Sequence, residues 1–453
     1  MPMTTTVRFA PSPTGRLHIG NVRTAVLNWL FALKENGRFL LRLDDTDQLR
    51  SREEYAQAII EDLAWLGIQP HETFRQSARL SRYEEVAERL KREGLLYPCY
   101  ETERELALKR KAALMAGRPP VYDRAALKLT PEARKALEEA GRVPHWRFRL
   151  PEGTIRWQDA VRGEVEIDLA TLSDPVLIRA DGSFLYTLPS VIDDIDYGIT
   201  HIIRGDDHVT NTAVQIALFQ ALGATPPRFA HHALLVDKDG GPLSKRLGSL
   251  GIADLRKQGL EPETIVSYCG TVASAEPVRP FLDMKELAEI FALEKLSRAP
   301  ARFDEEELFA LNARLLHAMP CEMALPRLKA LGLEMDCHAW EVIRPNLRTL
   351  AEAADWLAII RGEIEPPALT EEEKNLIESA LNNLPPEPWD ETTWKTWTST
   401  LKQLTGLKGR RLFMPLRRAL TGREHGPEMS RLLPLIGPEK AAARLRAALT
   451  DSG

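Results

Sequence analysis

The start of the chain predicts a strand, a tight turn and a helix. Apolar and polar positions alternate over residues 6–10, as in a half-buried strand, and apolar side chains then recur at helical spacing from Val22 to Leu33 before a stop at Gly37. The segment between them, residues 11–21, carries two prolines and two glycines. Such a turn points the free N–H groups of the helix start at whatever lies above the strand end, and anions bind at such a place.

Beyond this helix, residues 38–43 form an apolar run that predicts a second strand, parallel to the first because a right-handed crossover joins them. Ser51 and Ser81 are each followed three residues later by a glutamate, a capping-box pattern that predicts a helix start at each serine. From about Tyr100 a charged stretch and a further helical pattern precede three short strand-like runs. These runs lie at residues 146–150, 154–157 and 163–167. This change in the sequence pattern, from alternating strands and helices to a charged stretch and short strands, predicts an inserted domain.

Alternating strand and helix patterns resume at residue 184 and end near residue 255. Strands are predicted at residues 184–186, 200–204 and 233–237. After residue 255 the strand signals vanish, and helical patterns with Pro and Gly breaks continue to the end. The pattern thus predicts an α/β part followed by an all-α part.

Composition limits the kind of protein. With 453 residues, 44% of them hydrophobic and 28% charged, the chain is long enough for several domains. No stretch approaches a membrane span, and no secretory signal follows Met1, so we expect a cytoplasmic protein. The four cysteines form no C-x-x-C pair, which predicts free buried thiols and neither a disulfide framework nor a zinc site. They are Cys99, Cys269, Cys321 and Cys337.

The formal net charge of -5 argues against a polybasic coat, but the charge is unevenly distributed. Residues 361–400 are rich in acids and residues 401–450 are rich in bases. The basic stretch is either a solvated helical face or a face that contacts RNA, and its arginine pairs are the RNA candidates. These pairs are Arg410-Arg411 and Arg417-Arg418. The tryptophans of this half either stack on bases or fill helical cores. They are Trp340, Trp356, Trp389, Trp394 and Trp397.

Two short segments carry the candidate chemistry. His18-Ile19-Gly20-Asn21 lies at the first helix start, and Leu243-Ser244-Lys245-Arg246 lies past the middle of the chain. The second segment offers a hydroxyl and two cations in a loop flanked by glycines, which suits a clamp on phosphate oxygens. Together the two segments resemble the ATP signatures, of the HIGH and KMSKS types, of class I aminoacyl-tRNA synthetases. Residues 44–47, 191–194, 199–208 and 416–422 extend the resemblance to the bacterial glutamyl-tRNA synthetases, in the family order.

This resemblance implies a fold and its division into domains. A doubly wound, Rossmann-type α/β catalytic domain is expected at residues 1–100 and 184–255. An inserted α+β connective-peptide domain, which holds the acceptor end of the tRNA, is expected at residues 101–183. A stem-contact region at residues 256–325 and an α-helical anticodon-binding domain at residues 326–453 would complete an all-α C-terminal half.

The resemblance also implies a glutamate–tRNA ligase. ATP, with Mg²⁺, would activate L-glutamate to glutamyl-adenylate with release of diphosphate, and the glutamyl group would pass to the 3′-terminal adenosine of tRNA(Glu). Charging of tRNA(Gln), also or instead, stays open. Neither step needs a protein nucleophile, so catalysis should rest on positioning and on neutralising charge at the phosphates. We expect a monomer without zinc and without a membrane partner.

Roles follow for individual residues. His18 and Lys245 are the candidate catalytic residues. The residues expected to bind ATP are Pro13, Thr14, Gly15, His18, Gly20, Asn21, Asp207, Leu235, Leu243, Ser244, Lys245 and Arg246. The residues expected to bind glutamate are Arg8, Ala10, Ser12, Asp44, Tyr186, Ser190 and Arg204.

The glutamate-binding residues follow from the charges of the substrate. Arg8 and Arg204 would meet its two carboxylates, because the arginine fork suits that group, and Asp44 would meet its ammonium group. Most bacterial relatives have Glu in place of Asp44. They usually have Lys in place of Pro242, and His is common in place of Leu247.

Three rival functions remain. A glutaminyl-tRNA synthetase would lack the arginine matched by Arg204 and would carry β-barrel anticodon domains. A truncated paralogue that attaches glutamate to a modified base would lack the anticodon half. A non-catalytic RNA-binding paralogue would be expected to lose His18 or Lys245, and both are present.

Overall fold

The computed structural model describes residues 4–237, 239–241, 243 and 251–450. The chain divides into two compact units. The first comprises the chain up to Gln258 together with Pro262–Asp304, and the second comprises Gly259–Glu261 and the chain from Glu305 onward.

Twelve strands are described, and all lie in the first unit. They are β1 (Thr6–Phe9), β2 (Arg38–Leu43), β3 (Glu72–Arg75), β4 (Leu96–Cys99), β5 (His145–Phe148), β6 (Thr154–Asp159), β7 (Gly163–Asp168), β8 (Val176–Ile178), β9 (His201–Gly205), β10 (Arg228–His232), β11 (Leu235–Val236) and β12 (Ala301–Arg302). Ten helices of this unit are described. They are α1 (Ile19–Lys34), α2 (Glu53–Trp65), α3 (Leu80–Arg92), α4 (Glu103–Met115), α5 (Pro131–Glu139), α6 (Thr187–Asp196), α7 (Val209–Ala221), α8 (Ile252–Lys257), α9 (Pro262–Thr271) and α10 (Met284–Ile290).

Two small sheets carry the α/β part of the first unit. One is parallel throughout, in the order β1-β2-β3, which confirms the predicted parallel pairing of β1 and β2. The other has the order β7-β6-β10-β9, with β9, β10 and β6 parallel and β7 antiparallel. The backbone of Thr200, just before β9, bonds with Thr6 of β1 at 2.9 Å, which joins the two sheets side by side. An antiparallel sheet in the order β4-β5-β8 joins two strands of the predicted insertion, β5 and β8, to β4, which lies just before the predicted start of the insertion at residue 101.

Helix α1 packs where its sequence predicts, because it buries an apolar stripe from Ile19 to Ala32. Its neighbour α9 approaches it so closely at Gly270 that a Cβ there would lie 2.9 Å from the side chain of Leu30. Only glycine fits this approach without a shift of the neighbour.

Several expected elements differ in the structure. The capping boxes predicted at Ser51 and Ser81 are wrong: α2 follows Arg52 without a side-chain cap, and Ser81 lies inside α3 because a 3-10 turn runs directly into that helix. The strand predicted at residues 184–186 is also wrong. Phe184 makes only an isolated bridge to Ile178, and the chain then turns into α6. The two-residue strand β12 lies beyond residue 255, where no strand was expected.

The second unit is helical throughout the described residues 305–450, as the pattern predicts. Its helices are α11 (Glu305–Ala318), α12 (Cys321–Ala330), α13 (Cys337–Ile343), α14 (Ala353–Arg361), α15 (Glu371–Asn382), α16 (Thr393–Thr405), α17 (Arg410–Thr421), α18 (Met429–Ile436) and α19 (Pro438–Leu449). Trp340 and Trp397 are fully buried, so both fill the core of this unit. Among the described residues, no helix is both long and apolar enough to cross a membrane.

The expectation of four free thiols is wrong for two cysteines. Cys321 and Cys337 form a disulfide between the starts of α12 and α13, with their Cα atoms 5.4 Å apart. The turn between these helices brings their first turns together, which the sixteen-residue spacing does not reveal. Cys99 and Cys269 are free and buried, as expected.

Candidate active site

The first ATP-type signature forms the N-terminal cap of α1. The Nδ1 atom of His18 accepts a hydrogen bond from the N–H of Gly20 at 3.1 Å, and the side chain of Asn21 reaches back to the N–H of His18 at 3.5 Å. Burial lowers the pKa of His18, so the ring is neutral at pH 7. Since Nδ1 accepts, the proton of the neutral ring lies on Nε2, which can donate to a ligand above the helix start.

The chain that follows the second signature lies beside the first. His18 and Gly251 form an isolated antiparallel bridge, and the N–H of Ile252 donates to the carbonyl of Leu17 at 3.1 Å. The side that precedes the second signature is held by Asp237, whose carboxylate accepts from the N–H of Gly241 at 2.7 Å.

In the second signature loop, Leu243 is buried. Pro242, Ser244, Lys245 and Arg246 lie outside the described residues.

The turn between β1 and α1 holds the other expected ATP-binding residues. Pro13 is buried, and its carbonyl accepts from the N–H of Arg52 at 3.0 Å. Thr14 and Ser12 are exposed, and a Cβ added to Gly15 would meet no atom within 4 Å. The turn is therefore fixed at its base and open on its outer side.

A buried network of charges lies at the carboxyl ends of β1 and β2. Arg8 donates to Asp194 at 3.0 Å, and Arg42 donates to both Asp194, at 2.9 Å, and Asp44, at 2.7 Å. A further nitrogen of Arg42 bonds with the Ser190 hydroxyl at 3.1 Å. The structure thus brings together Arg8, Asp44 and Ser190 as expected, and it adds Arg42 and Asp194, whose roles the sequence analysis missed.

A signal for the missed pair was present in the sequence. Arg42 interrupts an apolar strand and Asp194 interrupts an apolar helix, and charges in such positions are rarely buried unless they pair. Burial by itself would lower the pKa of Arg42, but Asp44 and Asp194 outweigh it and raise that pKa. Burial raises the pKa of Asp44, against the influence of Arg42.

Arg204 has a different environment. It is 8% exposed in β9, and its guanidinium donates to the hydroxyl of Thr212 at 2.6 Å and to Nε2 of His231 at 3.3 Å. Among the described residues no carboxylate forms an ion pair with it. Burial, with a smaller contribution from the positive charge of Arg8, lowers the pKa of Arg204 to about 10, so the group is charged at pH 7. A buried cation without an anion is costly, and it marks a place for an anionic ligand.

Two further expected residues, Tyr186 and Asp207, lie near Arg204. Tyr186 is 40% exposed, and its hydroxyl accepts from the side-chain amide of Asn211 at 2.5 Å. The charges of Arg204, Asp207 and Asp44 all act on the Tyr186 hydroxyl, so these groups share one region of the molecule. Asp207 is exposed, whereas Ala10 is half-buried and Leu235 is buried in β11.

Gly205 lies close to the side chains of Asp207 and Leu234. A Cβ there would lie 2.6 Å from the Asp207 carboxylate and 2.7 Å from Leu234, so glycine keeps this approach open.

The four arginines expected to meet RNA fall into two classes. Arg411 and Arg418 pair with Glu372 and Glu373 of α15, so part of the acidic stretch neutralises part of the basic one. Arg410 is exposed. Arg417 is half-buried, and its Nη1 atom has no hydrogen-bond partner among the residues that the structure describes. It lines a cavity of about 330 Å³ with aromatic and polar side chains. These are Trp394, Phe413, Glu428, Met429 and Ser430.

One cluster in the insertion could in principle hold a metal ion. The ligand atoms of Cys99, Glu101 and His145 lie within 4.8 Å of one another, so Cys99 is not isolated as its sequence context suggests. However, Tyr122 donates to the Glu101 carboxylate at 2.7 Å, and the Lys109 ammonium lies 3.4 Å from it. Burial raises the pKa of the Cys99 thiol to about 11, which opposes the thiolate that zinc prefers. The absence of zinc stays a prediction.

Comparison with known proteins places this geometry in a family. Residues 4–310 match the family model described as "tRNA synthetases class I (E and Q), catalytic domain", and residues 311–449 match "Anticodon binding domain". The chain is 55% identical to "Glutamate--tRNA ligase 1" of Maricaulis maris strain MCS10, over 97% of this chain and 99% of that protein. It is 56% identical to "Glutamate--tRNA ligase 2" of Methylobacterium sp. strain 4-46, over 98% of this chain and 99% of that protein.

A solved structure agrees. The crystal structure of a glutamate tRNA ligase from Elizabethkingia meningosepticum, in complex with its amino acid, superposes with a TM-score of 0.85 at 27% identity. The superposition covers 99% of each chain.

Proposed function

Since this chain belongs to the class I tRNA synthetases and is a member of their glutamate–tRNA ligase family, we propose that its first unit activates L-glutamate with ATP and that the glutamyl group then passes to tRNA. The observation that carries this proposal is the environment of Arg204. A buried, charged guanidinium without a carboxylate partner suits the side-chain carboxylate of a bound glutamate.

The same observation disfavours glutamine as the substrate. A neutral amide opposite Arg204 would leave the guanidinium without an anion, at a cost of roughly 1–3 kcal/mol. The helical second unit also differs from the β-barrel anticodon domains expected of a glutaminyl-tRNA synthetase. The rival sibling function is therefore the weaker proposal.

The common part of the amino acid would bind beside the Arg8–Arg42 network. Asp44 accepts two hydrogen bonds from Arg42, which orient its carboxylate toward the ammonium group of the substrate. Asp44 and Asp194 together balance the two positive charges of Arg8 and Arg42, so these four residues add no large net charge to the pocket. Ser190 and Tyr186 would complete the wall of the pocket.

The residues of the two signatures fit a triphosphate. ATP, accompanied by Mg²⁺, supplies the α-phosphate that the glutamate α-carboxylate attacks and the diphosphate that leaves. The neutral His18 ring presents its Nε2–H at the start of α1, beside the free N–H groups of that helix. Lys245 would follow the leaving diphosphate as a point charge, with Ser244 and Arg246 beside it.

The second unit would bind the anticodon. The cavity beside Arg417 combines two aromatic rings, Trp394 and Phe413 at 6.3 Å, with a guanidinium that has an unused donor. An unpaired base can stack on such rings while the arginine meets a base edge or a phosphate. The proposed partner is tRNA(Glu), and a charging assay decides whether tRNA(Gln) is charged as well or instead.

The decisive experiment is aminoacylation with purified tRNA(Glu) and tRNA(Gln), with glutamate and glutamine each offered separately. We expect glutamate on tRNA(Glu) and no transfer of glutamine. Glutamine transfer would establish the sibling activity, and the absence of any ATP–diphosphate exchange would indicate a non-catalytic paralogue.

A variant tests the role of the second signature. Lys245→Ala should lower the rate of adenylate formation by roughly tenfold or more while the tRNA dissociation constant barely moves, because this charge acts mainly in the transition state. Lys257→Ala, which removes an exposed lysine of α8, is the matched control and should change neither quantity. Equal losses in both quantities for Lys245→Ala would point to an RNA contact or to misfolding instead.

A further inference from the structure

A buried chain of hydrogen bonds leads from Asp159 through His231 to Arg204. Nδ1 of His231 lies 2.5 Å from the Asp159 carboxylate, and both side chains are fully buried. On the other side of the ring, Nε2 lies 3.3 Å from Nε of Arg204 and 2.9 Å from the Thr212 hydroxyl. On the basis of the function proposed above, we propose that Asp159 and His231 are positioning residues that hold the Arg204 guanidinium ready for the side-chain carboxylate of glutamate.

The carboxylate of Asp159 is held as an anion. Its Oδ1 atom accepts from three backbone N–H groups, those of Val161 at 3.1 Å, Arg162 at 3.0 Å and His231 at 3.1 Å. Burial by itself would raise the pKa of Asp159, but these bonds and the bond from His231 outweigh it and lower that pKa to about 2. An ionised carboxylate can only accept hydrogen bonds.

This anion determines which nitrogen of His231 carries the proton. Nδ1 must donate to Asp159, and burial lowers the pKa of His231, so the ring is neutral and Nε2 offers a lone pair. The Nε–H of Arg204 donates to that lone pair. In the opposite tautomer an N–H of His231 would face the N–H of Arg204, and the bond would be lost.

The arrangement fixes Arg204 without cancelling its charge. Nε and one terminal nitrogen are held by neutral acceptors, His231 and Thr212. The remaining terminal nitrogen, Nη1, makes no hydrogen bond within the described part of the chain. The negative charge of Asp159 lies one imidazole ring away, so the guanidinium stays positive and keeps a donor for a substrate carboxylate.

Asp159→Asn tests the proposal because it keeps the shape and removes the charge. The amide oxygen can still accept from the backbone, while the amide N–H₂ donates to Nδ1 and moves the His231 proton to Nε2. We expect the KM for glutamate to rise by roughly tenfold or more, with the KM for ATP within about twofold of wild type, and the preference for glutamate over glutamine to fall. Histidine ¹⁵N NMR should show the proton of His231 transferred from Nδ1 to Nε2.

Asp174→Asn is the matched control. Asp174 is an equally buried aspartate of the same unit, and it accepts from Tyr97, Arg124 and the backbone of Leu150. This control should leave both KM values unchanged. If Asp159→Asn instead shifts the KM for glutamate and the KM for ATP equally, or loses only thermal stability as Asp174→Asn does, the pair is structural and the proposal is overturned.

A second pair of variants keeps the proposal testable if Asp159→Asn folds poorly. His231→Gln retains an acceptor oxygen near the position of Nε2, whereas His231→Leu has none. We expect the glutamine variant to restore much of the glutamate affinity that the leucine variant loses, and equal losses in both would overturn the proposal. Arg204→Cys distinguishes a failure of the proposed function from a failure of this inference. If Arg204→Cys leaves the KM for glutamate unchanged, the proposed role of Arg204 fails. If Arg204→Cys raises that KM and the Asp159 and His231 variants do not, only the positioning role of Asp159 and His231 fails.

Discussion

The sheet of β1 and β2 and the sheet of β9 and β10 each carry a buried arginine near a strand end, and the partners of these two arginines differ. In the sheet of β1 and β2, Arg42 bonds with Asp44 and Asp194, and its charge is fully matched. In the sheet of β9 and β10, Arg204 bonds with a threonine and a neutral histidine. The loss of a matched buried cation leaves its carboxylates uncompensated, whereas an unmatched cation keeps its attraction for an anion from outside.

Arg23 shows that neutral partners alone do not make a binding site. This arginine is also buried, and it donates to His232 and to the carbonyls of Ala233 and Val272. Its bonds tie α1 to two other segments, so its role is structural. The environment of Arg204 differs because its titratable neighbours include Tyr186, which is 40% exposed, and the exposed Asp207.

The largest expected effect separates Arg42 from the other arginines. Arg42→Met should lower the free energy of unfolding by about 3–5 kcal/mol, because Asp44 loses its paired cation and Asp194 keeps only Arg8. Urea denaturation measures this change. The control is Arg38→Met, which removes an exposed pair with Glu72 and should cost about 1 kcal/mol or less. Similar losses in the two variants would contradict the structural role of Arg42.

The next effect belongs to Arg204 and concerns specificity. Arg204→Cys should reduce the ratio of kcat/KM for glutamate to that for glutamine by roughly 10²-fold, because only the side-chain end distinguishes these substrates. Unfolding in urea should change far less than for Arg42→Met. If both substrates lose the same factor, Arg204 binds the shared α-carboxylate, and selectivity falls to Arg8 and Tyr186.

A smaller effect concerns pH. Burial, helped by the charge of Arg23, lowers the pKa of His232 to about 3, whereas the unfolded chain takes up this proton near pH 6.5. The stability is therefore fully present above pH 6.5 and falls by up to about 1.4 kcal/mol per pH unit as the pH drops toward 3. His232→Asn should flatten this dependence, measured as the unfolding free energy between pH 7 and pH 4. An unchanged slope would show that other groups cause it.

The last prediction is that no zinc binds at the cluster of Cys99, Glu101 and His145. The Glu101 carboxylate is paired with the Lys109 ammonium through one of its oxygens, and burial raises the pKa of the neighbouring Cys99 thiol to about 11, which opposes the thiolate that zinc prefers. We therefore expect elemental analysis to find no stoichiometric zinc, and chelation to act only through the Mg²⁺ that accompanies ATP. One tightly held zinc ion per chain would show that the Cys99 cluster rearranges to bind it.

Hydrophobic periodicity was sufficient to predict the elements whose buried positions recur at regular spacing. The apolar spacing of β1, α1, β2 and the three strands β5, β6 and β7 is regular, so their existence and the pairing of the first two could be predicted. Strand β10 was missed because its last two residues are histidines, which become buried only through Asp159 and Arg23. The exposed edge strand β3 was missed because charged ends conceal its alternation.

The candidate site could be predicted in part. Arg8, Asp44, Ser190 and Arg204 were predicted through the resemblance and through the charges of the substrate, and the first three share one network in the structure, while their binding of glutamate stays a prediction. Their partners could not be found in this way, because a hydrogen bond between residues far apart in the chain has no local pattern. Asp159 and His231 belong to separate strands and meet only when β6 pairs with β10.

The backbone bridge between His18 and Gly251 joins the first helix start to a segment that the ribosome delivers much later. Domains usually fold during synthesis with their N-terminal parts first. Strands β1 and β2 can pair early, but the carbonyl of Leu17 meets the N–H of Ile252 only after the insertion and the strands β9 to β11 have followed. A growing chain therefore carries its first signature in an unfinished pocket, and synthesis must pass the second signature before the chain can activate any amino acid.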